Sequence, residues 1–336
     1  MPSYENDTAE KVKTRVMVLS DTNGGTRADA GGFWDGNFHM FDAPPRDIDL
    51  LIHCGNFGNG EPEDMKATLQ AISQLPGRMK LIIPGSDDVP IESSFGRPID
   101  PFNTFAEALK LEDKQKSRGG DIVANDKPDG PDDLVFLDEG MHTVKLRNGA
   151  ILSVYASPYS LGEDRLKPFT YSSDVDRFNL GKDIPWGKWH SGEAMAIPTS
   201  PLVDILVTRG PPFGLFDPVR QRGVDKGCKS LEIAVSRARP LLHCFGDKHD
   251  AVGTWQIFWS EDHRARGFES CSKMLKLGNK YPAETSQYLN VPLKGKGIST
   301  VLVNGTIRRP GSRNSQRTHR PWISDFFFEK DLSRHG

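Results

Sequence analysis

Short apolar runs that stop at small and acidic residues set the pattern of this chain. "RVMVLSD" (Arg15–Asp21), "DLLIHCGN" (Asp49–Asn56) and "KLIIPGSDD" (Lys80–Asp88) have the β-branched, aliphatic look of buried strands with polar tips. Between the last two, Met65, Leu69 and Ile72 recur at i, i+4 and i+7 before Pro76-Gly77, which predicts an amphipathic helix. Strand, helix, strand predicts a parallel, right-handed crossover. A second helix is predicted over "DPFNTFAEALK", where Phe102, Phe105, Ala106 and Leu109 share a face, and a third around "DKGCKSLEIAVSRARP", with Leu231, Val235 and Ala238 on one stripe. Arg147-Asn148-Gly149 reads as a hairpin turn. "DILVTRG", "LLHCFGD", "GTWQIFWS" and "STVLVNGTI" supply later strands, and "WISDFFFE" the last.

The polar stretches divide the rest. Residues 1–14 read as a flexible N-terminus and 15–330 as a single domain. Glu112–Asp133 is charged and rich in Gly, Pro and Asp, which predicts an exposed loop. Leu166–Gly192 holds Phe169, Tyr171, Phe178, Trp186 and Trp189 among few aliphatics. Two readings of this insertion stand: a cover packed on the core, or an aromatic lid over a site. His190 within it reads as an exposed loop residue. Arg308–Arg320 is a basic run without interleaved aromatics, read as a solvated loop.

The chain has 336 residues with 43 Lys and Arg against 45 Asp and Glu, so its charge is near zero. That argues against a nucleic-acid or membrane-surface partner. Its four cysteines (Cys54, Cys228, Cys244, Cys271) have no CxxC spacing and fit a reducing compartment. No apolar run approaches the ~20 residues that cross a bilayer, and no secretory leader is visible, so a cytoplasmic protein is expected. His53 and His243 lie inside apolar runs and read as packed sheet residues.

In open α/β sheets, ligands bind beyond the carboxyl ends of the strands. Taken in order, the tips are "SDTNGG", "HCGNFG", "PGSDD", "TRGPPFGLFD" and "GDKHDAVG". The series resembles the calcineurin-like metallophosphoesterases over roughly Arg15 to Gly305, most of all the small metallophosphoesterase-domain proteins typified by animal brain phosphodiesterases. The resemblance implies a four-layer α/β/β/α sandwich of two mixed sheets flanked by helices, with a two-metal site where the strand ends converge.

The departures from that pattern carry the functional argument. Where the family has D-x-H, this chain has Asp21-Thr22-Asn23; the bridging Asp of G-D is Asn56. The Asn and His of G-N-H are Ser86 and Asp87, and the His of H-G-P-P is Arg209. In G-H-x-H the first His is Asp247 and the second survives as His249. A two-metal hydrolase clamps oxygens between ions ~3.5–4 Å apart, and neutral Asn56 relieves their repulsion less well than a carboxylate. Guanidinium has no lone pair to give. The sequence therefore predicts loss of the dinuclear site and a bridge from Arg209 to Asp21 or Asp247.

A metal-independent enzyme of isomerase, lyase or cyclase type is the leading expectation, acting on a small organic molecule, with secondary-metabolite tailoring as its setting. Arg209, His249, Asp247 and Asp87 would be catalytic; Asn23, Asn56, Ser86, Asp21, Trp186 and Trp189 would contact the substrate. No cofactor is expected. The alternatives are a non-catalytic binder with a protein partner, and a residual phosphoesterase holding one Mn or Mg ion at Asp21, Asn56, Asp247 and His249.

Overall fold

The computed structural model describes residues 10–23, 47–89, 100–125, 127, 130–162, 167–180, 189–190, 196–200, 202–214, 227–247, 253–261, 267–277, 288–289, 291, 295–307 and 321–335, with backbone alone at 189, 190, 288, 334 and 335. His249, Trp186 and the basic loop 308–320 lie outside these residues, as does the side chain of Trp189.

The first half of the fold is the predicted crossover. Strands β1 (Lys11–Leu19), β2 (Leu50–His53) and β3 (Met79–Ile82) pair in parallel, with helix α1 (Pro62–Ser73) between the last two. β1 begins inside the stretch expected to be a flexible N-terminus, because Lys11–Thr14 already pair with Phe326–Glu329 of the last strand. Helix α2 (Pro101–Leu109) starts where the Asp100 carboxylate caps the Asn103 amide and ends at left-handed Lys110. Strand β4 (Gly120–Val123) leads to β5 (Asp133–Leu137), which extends the parallel ladder beside β3. β6 (Gly140–Lys145) and β7 (Ala150–Ser157) form the predicted hairpin, with Gly149 at φ 88° in its turn.

The second half repeats the logic. β8 (Ile205–Thr208), α3 (Lys229–Ala238) and β9 (Leu242–Phe245) make another crossover, and β7, β8, β9 and β12 (Ser299–Asn304) run parallel. β10 (Gly253–Trp259) and β11 (Cys271–Lys276) are antiparallel additions at one edge. The last strand, β13 (Trp322–Lys330), joins the halves: it pairs antiparallel with β1 along its length and reaches β7 at Glu329 and Lys330. The two expected sheets are thus halves of one continuous ladder, because this nine-residue strand is long enough to serve both.

Period-two alternation makes the layers. Val16, Val18, Leu50 and Ile52 from the first half share one buried cluster with Val154, Ile205, Val207, Leu242 and Val301 from the second. The alternate residues face outward. Ile82 and Phe136 pack under α1 and α2, whereas Leu206, Phe245 and Leu302 pack under α3. The order is helices, strands, strands, helix, as expected.

The charged stretch Glu112–Asp133 corrects the sequence reading. It is not one loop: Lys116–Ser117 pairs with β5, and Gly120–Val123 is β4, paired with β6. Ile122 and Ala124 are buried in the inner cluster, and two apolar residues anchor a strand that the surrounding charges conceal. The insertion is anchored as well. Phe169 joins the α1–α2 cluster, and Tyr171 and Phe178 join the α3 cluster, so its described aromatics are cover.

Candidate functional site

The carboxyl ends of β1, β2 and β3 meet those of β8, β9 and β12, and each turns through a tight polar tip. Asp21 (φ 60°), Asn23 (φ 47°), Asn56 (φ 51°) and Asp247 (φ 69°) all adopt left-handed backbone. Asp and Asn tolerate that region better than other non-glycine residues, because a short polar side chain can bond locally. Such conformations gather where surrounding structure holds them in place, which is typical of functional sites. Backbone bonds lace the tips together: Asp21 N to Gly55 O at 3.1 Å, Asn23 N to Asn56 O at 3.0 Å, and Gly246 N to Arg209 O at 3.2 Å.

At the centre is an ion pair. Arg209 Nη2 donates to Asp21 Oδ1 at 2.6 Å and Nη1 to Asp21 Oδ2 at 3.2 Å; Nη2 also lies 3.5 Å from Asp247 Oδ1. Arg209 is 1% exposed and Asp21 fully buried. Burial disfavours the guanidinium charge, but Asp21 and Asp247 outweigh burial and hold the pKa above the ordinary arginine value. Asp21 Oδ2 also accepts from Ser20 Oγ (2.8 Å), Thr306 Oγ1 (3.0 Å) and the Asp247 amide (3.0 Å). Both carboxylate oxygens are therefore occupied by donors.

A second group lines the rim. Asn56 Nδ2 donates to Asp87 Oδ2 at 3.1 Å, and the Asp87 amide donates back to Asn56 Oδ1 at 3.3 Å. Ser86 Oγ and Lys167 Nζ approach Asp87 Oδ1 at 3.3 and 3.4 Å. The side chains of Asp87 and Asp247 are 43% and 24% exposed, so these carboxylates are part-exposed beside the buried pair. Asn23 Nδ2 turns back to Asp21 O at 3.3 Å. The tips thus bring together Asp21, Asn23, Asn56, Ser86, Asp87, Arg209 and Asp247; His249, Trp186 and the Trp189 side chain lie outside the described residues.

Beneath the pair, two histidines each turn Nε2–H to a threonine hydroxyl, but His243 Nδ1, unlike His53 Nδ1, has no hydrogen-bond partner among the described residues. Gly55 N donates to His53 Nδ1 at 3.2 Å, which leaves Nε2–H facing Thr22 Oγ1 at 3.2 Å. Thr208 Oγ1 donates to Gly210 O at 2.8 Å, so His243 Nε2–H faces Thr208 Oγ1 at 2.9 Å. Burial pushes both imidazoles down to about 3. They are neutral sheet residues, as the sequence suggested. Asp88 is also fully buried and accepts the amides of Gly58 (2.7 Å) and Gly85 (2.8 Å), tying the Asn56 loop to the Asp87 loop. Burial outweighs those two bonds and pushes its pKa up to about 7.

The sequence reading missed Ser20, Thr306, Asp88 and Lys167. Thr306 carried a signal: "NGT" comes after an apolar strand just as the other tips do. Asp88 was hidden as the second acid of "SDD", and Lys167 had none.

Among the described residues, the candidate ligands are already engaged with protein partners. Asp21 spends both oxygens on protein donors, Asn56 is engaged with Asp87, and a guanidinium fills the space beside them. Among the described residues no three His, Cys, Asp or Glu side chains converge as a metal-binding group. No helix there is long and apolar enough to cross a membrane.

The chain matches no protein-family model. It is 27% identical over 209 residues to metallophosphoesterase domain-containing protein 1 of Homo sapiens and, to the same extent, to that of Mus musculus. The match covers 61% of this chain and 55% of each relative, so it spans about half the length of the relatives. With the layered fold, this distant similarity supports the metallophosphoesterase superfamily.

Proposed function

We propose that this protein is a metal-independent enzyme on a metallophosphoesterase scaffold, acting by proton transfer and hydrogen-bond positioning on a small organic molecule. The observation that carries the reading is the pair of part-exposed carboxylates, Asp87 and Asp247, set around a centre in which Arg209 and Asp21 are paired and buried. Asp87 and Asp247 move protons, and the side chains of Asn23, Asn56 and Ser86 orient the substrate. That chemistry suits an isomerisation, elimination or cyclisation, and secondary-metabolite tailoring is its setting. His249, two residues beyond Asp247, keeps the acid–base role assigned to it from sequence. The relatives' name points to phosphoesterase chemistry through metal ions, and the saturated oxygens of Asp21 count against that for this chain.

One observation favours a second reading, a non-catalytic binder. Arg209 is 1% exposed and its terminal nitrogens are spent on Asp21, which is how a purely structural plug would look. Deleting the gene in its native host and comparing small-molecule profiles separates the two. The enzyme reading expects an accumulated precursor, cleared by re-supplied wild type but not by Asp247→Asn or Asp87→Asn. An unchanged profile on deletion, or full complementation by both variants, overturns it.

A further inference from the structure

We infer that Arg209 is a tethered counter-ion that positions the loop tips, and that its pocket is a guanidinium-shaped cation site. This rests on the proposed function and deepens it: Arg209 acts through Asp21 and Asp247, not on a substrate. The guanidinium meets Asp21 in a fork, at 2.6 and 3.2 Å, and a second carboxylate at 3.5 Å. This planar, bidentate geometry matches guanidinium and not a compact ammonium.

The surroundings are shaped to the side chain. A Cβ on Gly55 would lie 2.8 Å from Arg209 Cδ, and one on Gly85 would lie 3.0 Å from Arg209 Nε and 2.2 Å from Asn56 Oδ1. A Cβ on Gly246 would lie 2.0 Å from Ser20 Oγ and 2.6 Å from Asp21 Oδ2. Glycines thus line the approach of three tips to the pair. Three of the tips around Arg209 have left-handed backbone, at Asp21, Asn56 and Asp247, and the Gly85 tip does not. The Arg209 backbone is fixed from both sides, its amide to Ser157 O at 3.0 Å and its carbonyl to Gly246 N at 3.2 Å. The charge is therefore delivered from a rigid strand end onto strained tips, which makes it the organiser and them the organised.

Truncation should uncover the pocket. In Arg209→Ala, two carboxylates lose their counter-ion while Ser20, Thr306 and the glycine-lined space remain, and a free guanidinium cation replaces what was lost. The test is thermal unfolding of wild type and Arg209→Ala in millimolar methylguanidinium, with ethylammonium and sodium at equal ionic strength as comparison cations. The expected result is a variant midpoint roughly 5–10 °C below wild type, raised saturably by methylguanidinium alone, while wild type does not respond. An equal response of wild type and variant, or equal rescue by ethylammonium or sodium, overturns the inference. If Arg209→Ala is recovered unfolded, refolding with and without methylguanidinium decides: recovery of folded protein supports the site, and no recovery overturns it. The readout is folding, so its failure is distinct from a failure of the proposed catalysis, which the metabolite profile reads.

Discussion

Arg209 and Asp21 lie 188 residues apart in sequence and form a buried two-bond pair in space, Nη2 to Oδ1 at 2.6 Å and Nη1 to Oδ2 at 3.2 Å. Two fully desolvated charges stabilise each other only as a unit. Removing one strands the other. Asp21→Asn or Arg209→Met alone is therefore expected to cost about 3–5 kcal/mol. Joint replacement by Asp21→Asn and Arg209→Met is expected to cost less than either single change. Urea unfolding of the three variants measures this, and strictly additive losses would contradict it.

Gly246 is expected to reject even a methyl group. A Cβ there would fall 2.0 Å from Ser20 Oγ and 2.6 Å from Asp21 Oδ2, both buried and bonded. Gly246→Ala should destabilise by about 1–3 kcal/mol, as overpacking does. A denaturation midpoint equal to wild type would show that this tip yields.

Acid should weaken the fold through His53 and His243. Both have folded pKa values near 3 against an ordinary 6.5, so the unfolded chain binds more protons below 6.5. Their contribution is complete above 6.5 and is lost as pH falls toward 3, about 2 kcal/mol per histidine between pH 7 and 5. Asp88 works the other way: with a folded value near 7 against 3.8, it favours the native state most in acid and loses that contribution as pH rises from about 4 to 7. His243→Gln should accordingly narrow the stability gap between pH 7 and 5. An unchanged gap would show that His243 does not titrate as described.

Chelation should leave the protein unchanged. Asp21 is satisfied by Arg209, Ser20, Thr306 and the Asp247 amide, so EDTA is expected to leave the melting temperature where it was. Stoichiometric manganese or magnesium by elemental analysis, together with a drop in melting temperature after EDTA, would restore the single-ion alternative.

The insertion is held by unequal ion pairs. Arg177 reaches Glu139, with 11% and 2% of the side chains exposed, and stacks 3.6 Å above the Tyr159 ring. The Lys167–Asp87 pair is about half exposed on both sides. Arg177→Ala should cost about 3 kcal/mol or more, whereas Lys167→Ala should stay within about 1 kcal/mol. Equal effects in thermal unfolding would refute this ranking.

Much of the fold was legible because its signals are local. The aliphatic runs at Arg15–Asp21, Asp49–Asn56 and Lys80–Asp88 became β1, β2 and β3, and the stripes of α1, α2 and α3 fell on the expected faces. β4 was not legible, because two inward apolar residues, Ile122 and Ala124, are too few to mark a period within a charged stretch. Asp88 escaped for a different reason. Asp87 and Asp88 are adjacent identical acids, yet one faces the rim and the other is fully buried on two glycine amides, and only backbone direction tells them apart.

By itself the sequence determined which residue types stand at each strand end, since periodicity fixes where a strand stops and which residues form its tip. It could thus place Arg209 and a polar residue at each of the other tips. Tertiary structure alone decided how those groups pair. Arg209 had two candidate carboxylates; it forks onto buried Asp21 and only grazes part-exposed Asp247, because β1 and β8 deliver their tips at the depth where no water competes. Partner choice in a buried network is set by distance and desolvation across the two sheet halves, and neither quantity is written along the chain.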